Sequence, residues 1–349
     1  MKRSRHPHFR DITSLSQLLD AAERSRKGPK SSQGKSYMMD FMSCVEENCL
    51  GLRYELLHKT YHPQPYHTFT IKDPKTRLIC AAQFRDRVVH HSLCDSLMPI
   101  FEKYAIEDSY ACRKGKGTHR AIDKAQSMIR NSTYSLKLDV LHFFETADHF
   151  VLYNLLQRLI RDPDTLHLCW LIICHQPPYS SAHKGLPIGN LSSQHFANLY
   201  LTPLDRFIKQ SLRVKHYIRY MDDLLLCADH VDDLLFWEQE ITQFVEQRLL
   251  LKLKDQVRLL VNNKNGVPYL GYRIWGRKKR LDRARRKRVH RRLHHVYKGF
   301  VRGKYDEPQL VACLNGLDHW ARFAQGHRLI DRWHHRHLLI ADDARSYHQ

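Results

Sequence analysis

YIRYMDDLLLCAD, residues 217–229, sets two adjacent aspartates between two apolar runs. Tyr217, Ile218 and Tyr220 precede the pair, and Leu224, Leu225, Leu226 and Cys227 follow it. The runs read as the strands of a buried hairpin, with Asp222 and Asp223 at its tip. Aspartate is a common turn former, because its short side chain bonds nearby backbone. The pair alone therefore carries little chemical meaning. Two other pairs in the chain show that ordinary use. Asp232–Asp233 opens a helical stretch, where acidic residues suit the N-terminus. Asp342–Asp343 stands near a polar C-terminus.

Asp139 changes the reading. It stands near the end of the alternating stretch YSLKLDV (134–140), where apolar neighbours disfavour a charge. Its ordinary use there is to cap the following turn. If Asp139 instead faces the hairpin tip, three carboxylates crowd together and raise one another's pKa. A hard divalent cation relieves that repulsion, and Mg²⁺ takes its oxygen ligands from carboxylates and substrate phosphates. Two such ions, about 3.5–4 Å apart, form the clamp used for in-line displacement at phosphorus. Neighbouring strand residues point to opposite faces. Asp222 is accordingly the firmer ligand and Asp223 the secondary one.

Around this centre the chain alternates strands with helices. Residues 37–59 read as helical, and 66–82 as a hairpin turning at Asp73–Pro74. FRDRVVHHSLCDSLMPIFEKY follows as a helix, and Thr118 is placed to cap the next one, whose apolar face is Ala121, Ile122, Ala125, Met128 and Ile129. Two helical stretches lie within 147–175, and HKGLPIGN (183–190) is a loop. Residues 191–212 form a helix kinked or broken at Pro203. Another helix covers 232–250. QVRLLV and PYLGYRI are expected to pair as a hairpin, and the remainder from 277 to be basic and helical. These elements make an α+β fold with a mainly antiparallel sheet.

Composition narrows the partners. At 349 residues the chain is long enough for two or three subdomains. No run approaches the ~18 apolar residues of a membrane span, and no apolar signal core opens the chain, so a cytoplasmic protein is expected. The nine cysteines form no CxxC pair and read as buried hydrophobes of a reducing compartment. The densest histidine clusters, WHHRH (333–337) and HRRLHH (290–295), lie among arginines that repel a metal cation, which favours a solvated or RNA-facing surface over zinc. The formal net charge is +21, and residues 277–292, RKKRLDRARRKRVHRR, hold eleven basic residues against one acidic. A run this dense calls for a polyanion, and without an apolar helix face beside it nucleic acid fits better than membrane.

With these blocks in view the chain resembles the reverse transcriptases. YMDD between apolar strands resembles their signature, and further blocks occur in the family's order across residues 66–275. IKDPKTRLICAAQFRDRVVHHSL resembles the fingers block, and DSYACRKGKGTHRAI the segment after it. LKLDVLHFFETADH resembles the first catalytic block, GLPIGNLSSQHFANLYL the template-and-nucleotide loop, and YLGY the primer-grip hairpin. The resemblance implies a right-hand polymerase. Residues 1–36 are a basic extension, 37–132 fingers, 133–276 a palm with the antiparallel sheet, and 277–349 a helical basic thumb. It implies catalysis by Asp139, Asp222 and Asp223 with two Mg²⁺ ions, the Val140 backbone joining the metal ligands. Lys75, Arg77, Phe144, Ile188, Gly189 and Gln194 are implied in nucleotide binding. Phe144, rather than a core-facing Phe143, excludes a 2′-hydroxyl. Gly189 allows close backbone approach. Tyr220, Met221, Tyr269, Leu270, Gly271, Arg283, Arg286 and Arg291 are implied in holding primer and template. Lys254 and Arg258 are the candidates for the lysine usual before the final hairpin, without a proton-donor role assigned.

One block departs from the common pattern. Many family members carry Gln before the loop glycine and Pro after its serine, whereas this chain has Ile188 and Gln194 in IGNLSSQ. That variant resembles the reverse transcriptases of diversity-generating retroelements, bacterial or phage-encoded. These copy a template-repeat RNA, with its flanking spacer, into adenine-mutagenised cDNA with a small basic accessory variability protein. The expected partners are therefore that RNA, the RNA/cDNA duplex, dNTPs and the accessory protein, with no membrane. The competing readings are a retron- or phage-defence-type enzyme and, from another class, a non-catalytic RNA-binding protein. The complete carboxylate triad stands against the latter.

Overall fold

The computed structural model describes residues 3–27, 32–72, 76–175, 177, 181–255 and 259–324. The chain opens with α1 (His8–Ile12), α2 (Leu15–Ser25), α3 (Ser32–Ser43) and α4 (Val45–Leu57), then the hairpin of β1 (His67–Lys72) and β2 (Thr76–Ala81) and the long α5 (Phe84–Tyr104). Next come α6 (Thr118–Arg130), β3 (Tyr134–Asp139), α7 (Phe143–Thr146), α8 (His149–Leu159), α9 (Pro163–Cys174) and α10 (Leu191–Arg206). β4 (His216–Tyr220), β5 (Asp223–Ala228), α11 (Val231–Leu249) and β6 (Leu259–Asn262) follow. The last part holds β7 (Val267–Tyr269), β8 (Tyr272–Ile274), β9 (Lys279–Leu281), α12 (Arg283–Val301) and α13 (Glu307–Phe323).

The central sheet runs β4-β5-β3-β6, and every neighbouring pair is antiparallel. It is covered on both faces, which explains the unbroken apolar run of β5. Leu224 and Leu226 enter the larger core with Leu136 and Leu138 of β3 and the helices α5, α8, α9 and α10. Leu225 and Cys227 point the other way. They join Ile218, the apolar stripe of α6, and residues of β7, β8 and α12 in a second core. Alternate side chains of one strand thus serve two cores, as period-two geometry requires. A sheet with both faces covered reads as continuous hydrophobicity rather than alternation.

Several local expectations are corrected. The 37–59 helix is two helices, α3 and α4, broken at Cys44. Thr118 begins α6 but does not cap it. Gly117 holds the cap position, and the Thr118 hydroxyl lies 3.0 Å from the Tyr220 hydroxyl. Helix α10 runs through Pro203 and continues as a π-helical turn over Phe207–Ser211. Buried Leu199, Leu201 and Leu204 hold it in place around the proline. The described part of QVRLLV, residues 259–261, does not pair with PYLGYRI. Leu259–Asn262 adds to the central sheet beside β3, while PYLGYRI divides at Leu270–Gly271 into β7 and β8. The basic tract from 277 begins as β9, paired with β8, and becomes helical only at Asp282, whose carboxylate caps α12. The clusters WHHRH and Asp342–Asp343 and the turn at Asp73–Pro74 lie outside the described residues. None of the cysteines among the described residues is in a disulfide, and no helix among them is long and apolar enough to cross a membrane.

A buried ion pair lies directly under the β4–β5 hairpin. Arg219 is fully enclosed and donates twice to Asp205 of α10, from Nε and from Nη2, each at 2.7 Å. Tyr217 donates to the same carboxylate at 2.7 Å. The remaining guanidinium hydrogens reach Asn198 Oδ1 at 3.2 Å, Ser109 Oγ at 3.1 Å and the Met221 carbonyl at 2.9 Å. A buried pair of this kind contributes little net stability, but breaking it leaves one charge stranded. Asp205→Asn is expected to lower unfolding free energy by ~3–5 kcal/mol, against about 1 kcal/mol for Tyr217→Phe. Urea unfolding separates the two values. Equal small losses would contradict the role given to the pair.

Candidate active site

The three aspartates meet at one end of the central sheet. Asp139 is the last residue of β3 and stands opposite Asp223, the first of β5. Tyr220 also pairs with Asp223, so Met221 and Asp222 form a two-residue turn. Met221 adopts φ 55°, a left-handed conformation unusual for a residue with a side chain. The bond from Arg219 to its carbonyl holds it there. The Val140 N–H reaches the Asp222 carbonyl at 3.3 Å, which ties the segment after β3 to the turn. The Val140 side chain itself is fully buried.

Two lysines share the site. Lys254 bonds the Asp139 carboxylate through Nζ, and its backbone N–H donates to the Asp139 carbonyl at 2.9 Å. Lys137 Nζ lies 3.0 Å from Asp223 Oδ1. Sequence reasoning passed over Lys137, although its position two residues before Asp139 on an alternating strand puts both on one face. Lys254 had been one of two candidates, and Arg258 lies outside the described residues. Burial is the leading cause that pushes the Asp222 carboxyl above its ordinary range. Asp139 adds to the rise, while Lys254 and Arg77 oppose it. The Asp223 carboxyl is pushed up to about 6, first by burial; Lys137 opposes the shift, and Asp139 and Asp222 reinforce it. Mutual repulsion was expected to lead, but desolvation comes first in both. The three half-buried carboxylates do not all bring oxygens within 4.8 Å of one another in this arrangement; a divalent cation drawn between them would offset the desolvation and repulsion together.

The other predicted residues surround this corner unevenly. Arg77 is exposed on β2, and its charge reaches Asp222. Lys75 lies outside the described residues. Phe143 is buried against Tyr200, with ring centroids 5.7 Å apart, whereas Phe144 is only half-buried. Gly189 has φ 121°, and a Cβ there would come 2.7 Å from Ile79 of β2. The neighbouring Ile188 carbonyl accepts from Cys80 N–H at 2.8 Å. The close approach at Gly189 is thus to the β1–β2 hairpin. Gln194 is half-buried in the first turn of α10.

Leu270 and Gly271 form the β7–β8 turn, both at positive φ (48° and 78°), and Tyr269 beside them is buried. Arg285, which sequence reasoning did not select, donates to the Leu270 carbonyl at 2.7 Å and joins α12 to this turn. Arg283, Arg286 and Arg291 are exposed on α12, opposite its buried face of Val289, Leu293, Val296 and Tyr297.

An antiparallel sheet with carboxylates at one end, backed by helices and flanked by a separate hairpin and a basic helix, defines the palm of a template-dependent polymerase. Residues 71–274 match the family described as reverse transcriptase (RNA-dependent DNA polymerase), and the chain belongs to that family. It is 19% identical over 298 residues to the group II intron-encoded protein LtrA of Lactococcus lactis subsp. cremoris, covering 66% of this chain and 50% of that protein. Protein YkfC of Escherichia coli (strain K12) is 22% identical over 277 residues, covering 67% of this chain and 73% of the other. Among solved structures, an apo telomerase from Candida tropicalis aligns with a TM-score of 0.49 at 11% identity, over 67% of this chain and 60% of that one. The chain spans about half the length of the intron-encoded relative.

The raised carboxyls predict a pH dependence. With a folded-state value of about 6 against an ordinary 3.8, protonated Asp223 favours folding below 3.8 and loses that contribution as pH rises through 6. A divalent cation competes with the same proton. The Mg²⁺-induced rise in Tm should be larger at about pH 7.5 than at about pH 5, and Asp223→Asn should flatten the difference. Calorimetry with and without Mg²⁺ tests this. A pH-independent shift in the unaltered protein would contradict it.

Proposed function

We propose that this protein is an RNA-directed DNA polymerase that copies a template-repeat RNA into adenine-mutagenised cDNA for a diversity-generating retroelement. The observation that carries the polymerase reading is the register Asp139↔Asp223, which brings the carboxylates of two strands to one sheet end. Two Mg²⁺ ions held there would activate the primer 3′-hydroxyl and stabilise charge on the transferring phosphoryl group. Asp139 and Asp222 are the main ligands, with the Val140 carbonyl and Asp223 supporting them. Asp223 is the secondary one because it begins β5, next to Asp222, and neighbouring residues of an extended strand point to opposite faces.

The rest of the chain supplies position. Residues 1–36 form the basic N-terminal part, and 37–132, carrying Arg77 on the β1–β2 hairpin, form the fingers, with Lys75 assigned there from the sequence alone. The palm spans 133–276 and the basic thumb 277–349, whose helices begin with α12. Phe144 is half-buried at the edge of the core that holds Phe143, and its exposed part would bar a ribose 2′-hydroxyl. Ile188 and Gln194 flank the nucleotide. Tyr220, Met221 and the Tyr269–Gly271 turn seat the primer end. The exposed Arg283, Arg286 and Arg291 of α12 take duplex phosphates.

The retroelement assignment rests on IGNLSSQ. Ile188 lacks the hydrogen-bonding groups of the Gln found there in many relatives, which removes one constraint on nucleotide geometry. The RNA, with its spacer, and a small basic accessory protein are the partners this reading implies. RNA bridging or acidic patches such as Glu46–Glu47 would reconcile two basic chains.

Primer extension on a defined RNA template, followed by cDNA sequencing, tests both levels. Mg²⁺-dependent synthesis should be abolished by Asp139→Asn or Asp222→Asn with RNA binding retained, because phosphoryl transfer depends on metal-held charge. Errors should concentrate opposite template adenine. Extension in the variants close to that of the unaltered protein would overturn the site. An even error spectrum would overturn the retroelement assignment and leave the polymerase standing. Phe144→Ala should admit rNTPs in direct competition with dNTPs, and an unchanged ratio would remove Phe144 from sugar selection.

A further inference from the structure

Away from the aspartates, His149, Cys174 and His183 each bring a ligand atom within 4.8 Å of the other two, the one such group of His, Cys, Asp or Glu among the described residues. They come from three different places: the first residue of α8, the last residue of α9, and the loop that leads to Ile188. His149 is completely buried. Its Nε2 lies 2.8 Å from the Gly185 carbonyl, an acceptor only, so Nε2 carries the hydrogen. Nδ1 then presents a lone pair, and this buried atom has no hydrogen-bond partner in the protein. A buried polar atom without a partner is costly and calls for an explanation.

A ring nitrogen locked by a backbone carbonyl, with the other left bare, is the arrangement of a metal-ligating histidine. The surroundings agree. The Phe150 ring lies 5.0 Å from that of His183, and Trp170 stacks on His183 at 6.4 Å, giving the cluster an aromatic wall. Two imidazoles and a thiol are a borderline-soft donor set that suits Zn²⁺, unlike the all-oxygen set of the aspartates. Tetrahedral zinc with ordinary bond lengths separates its ligand atoms by roughly 3.3–3.6 Å. The observed spacing thus closes with shifts of about an ångström.

We propose that His149, Cys174 and His183 form a zinc site, with a fourth position left to water. The site fastens the loop before Ile188 to the ends of α8 and α9. The same loop already bonds its neighbours through backbone. His149 N–H donates to the His183 carbonyl at 3.0 Å, Gly185 N–H to Ala147 at 2.8 Å, and Leu186 N–H to the Phe144 carbonyl at 2.7 Å. Zinc there braces the segment joining Phe144 to Ile188, at a distance from the reacting atoms. Binding replaces the thiol proton with the metal, and the proton goes to solvent.

Cobalt substitution tests the site without recourse to activity. The protein is stripped with chelator, given one equivalent of Co²⁺, and read for thiolate-to-cobalt absorption in the near ultraviolet. The unaltered protein should show the band and lose it when Zn²⁺ is added. Cys174→Ser should abolish it. His183→Ala, at an exposed position, should weaken affinity at least ~100-fold, beyond the 10–100-fold typical of losing an outer partner. Asp222→Asn should leave the band unchanged, which separates this site from the carboxylates. Zn²⁺ should also raise the Tm of the unaltered protein and not of Cys174→Ser. Absence of the band in the unaltered protein, or its persistence in Cys174→Ser, would overturn the proposal.

Discussion

The bidentate pair between Arg219 and Asp205 is the contact on which the rest of the site depends. It is fully buried, so neither partner can be lost without stranding a charge. Its geometry links three elements: α10 through Asp205 and Asn198, the segment before α6 through Ser109, and the hairpin turn through the Met221 carbonyl. Backbone bonds repeat the linkage, since Arg219 N–H donates to Asp108 and its carbonyl accepts from Tyr110 N–H, each at 3.0 Å. A turn with Met221 at positive φ is strained by ~1–3 kcal/mol unless its surroundings hold it. Here a guanidinium does so from beneath. The aspartates above are thereby presented at a fixed height and angle to Asp139.

Desolvation sets the electrostatics of that end of the sheet. Packing on both faces makes the hairpin rigid, and it also removes water from Asp222 and Asp223, whose carboxyls rise chiefly for that reason. Lys137 and Lys254 answer part of the resulting imbalance. A divalent cation would answer the remainder. Rigidity and cation demand therefore have one origin, the burial of a charged turn between two cores.

Much of this was legible in the sequence. The unbroken LLLC run, the alternating YSLKLDV and the long period of α5 place hairpin, strand and helix correctly, because each has one strong local pattern. Asp139, Asp222 and Asp223 stood out because charges interrupt those patterns. The β6 pairing was not legible. A four-residue strand offers no local sign of whether it pairs with its neighbour in sequence or with β3. Nor was the role of Arg219, since an arginine in YIRYMDD reads locally as a solvated strand position, and its partner lies in another helix. His149, Cys174 and His183 were missed because they are far apart in sequence and match no zinc spacing. Only the fold brings them together.

The central proposal is that Asp139 and the Asp222–Asp223 turn hold the catalytic cations jointly. Iron-directed cleavage tests it most directly. Fe²⁺ takes the place of Mg²⁺, and peroxide with ascorbate then cuts the backbone nearest the bound ion. The account predicts paired cuts near residue 139 and near residues 222–223, both suppressed by excess Mg²⁺ and both lost in Asp139→Asn. Cuts at only one of these segments, or paired cuts that survive in Asp139→Asn, would contradict it.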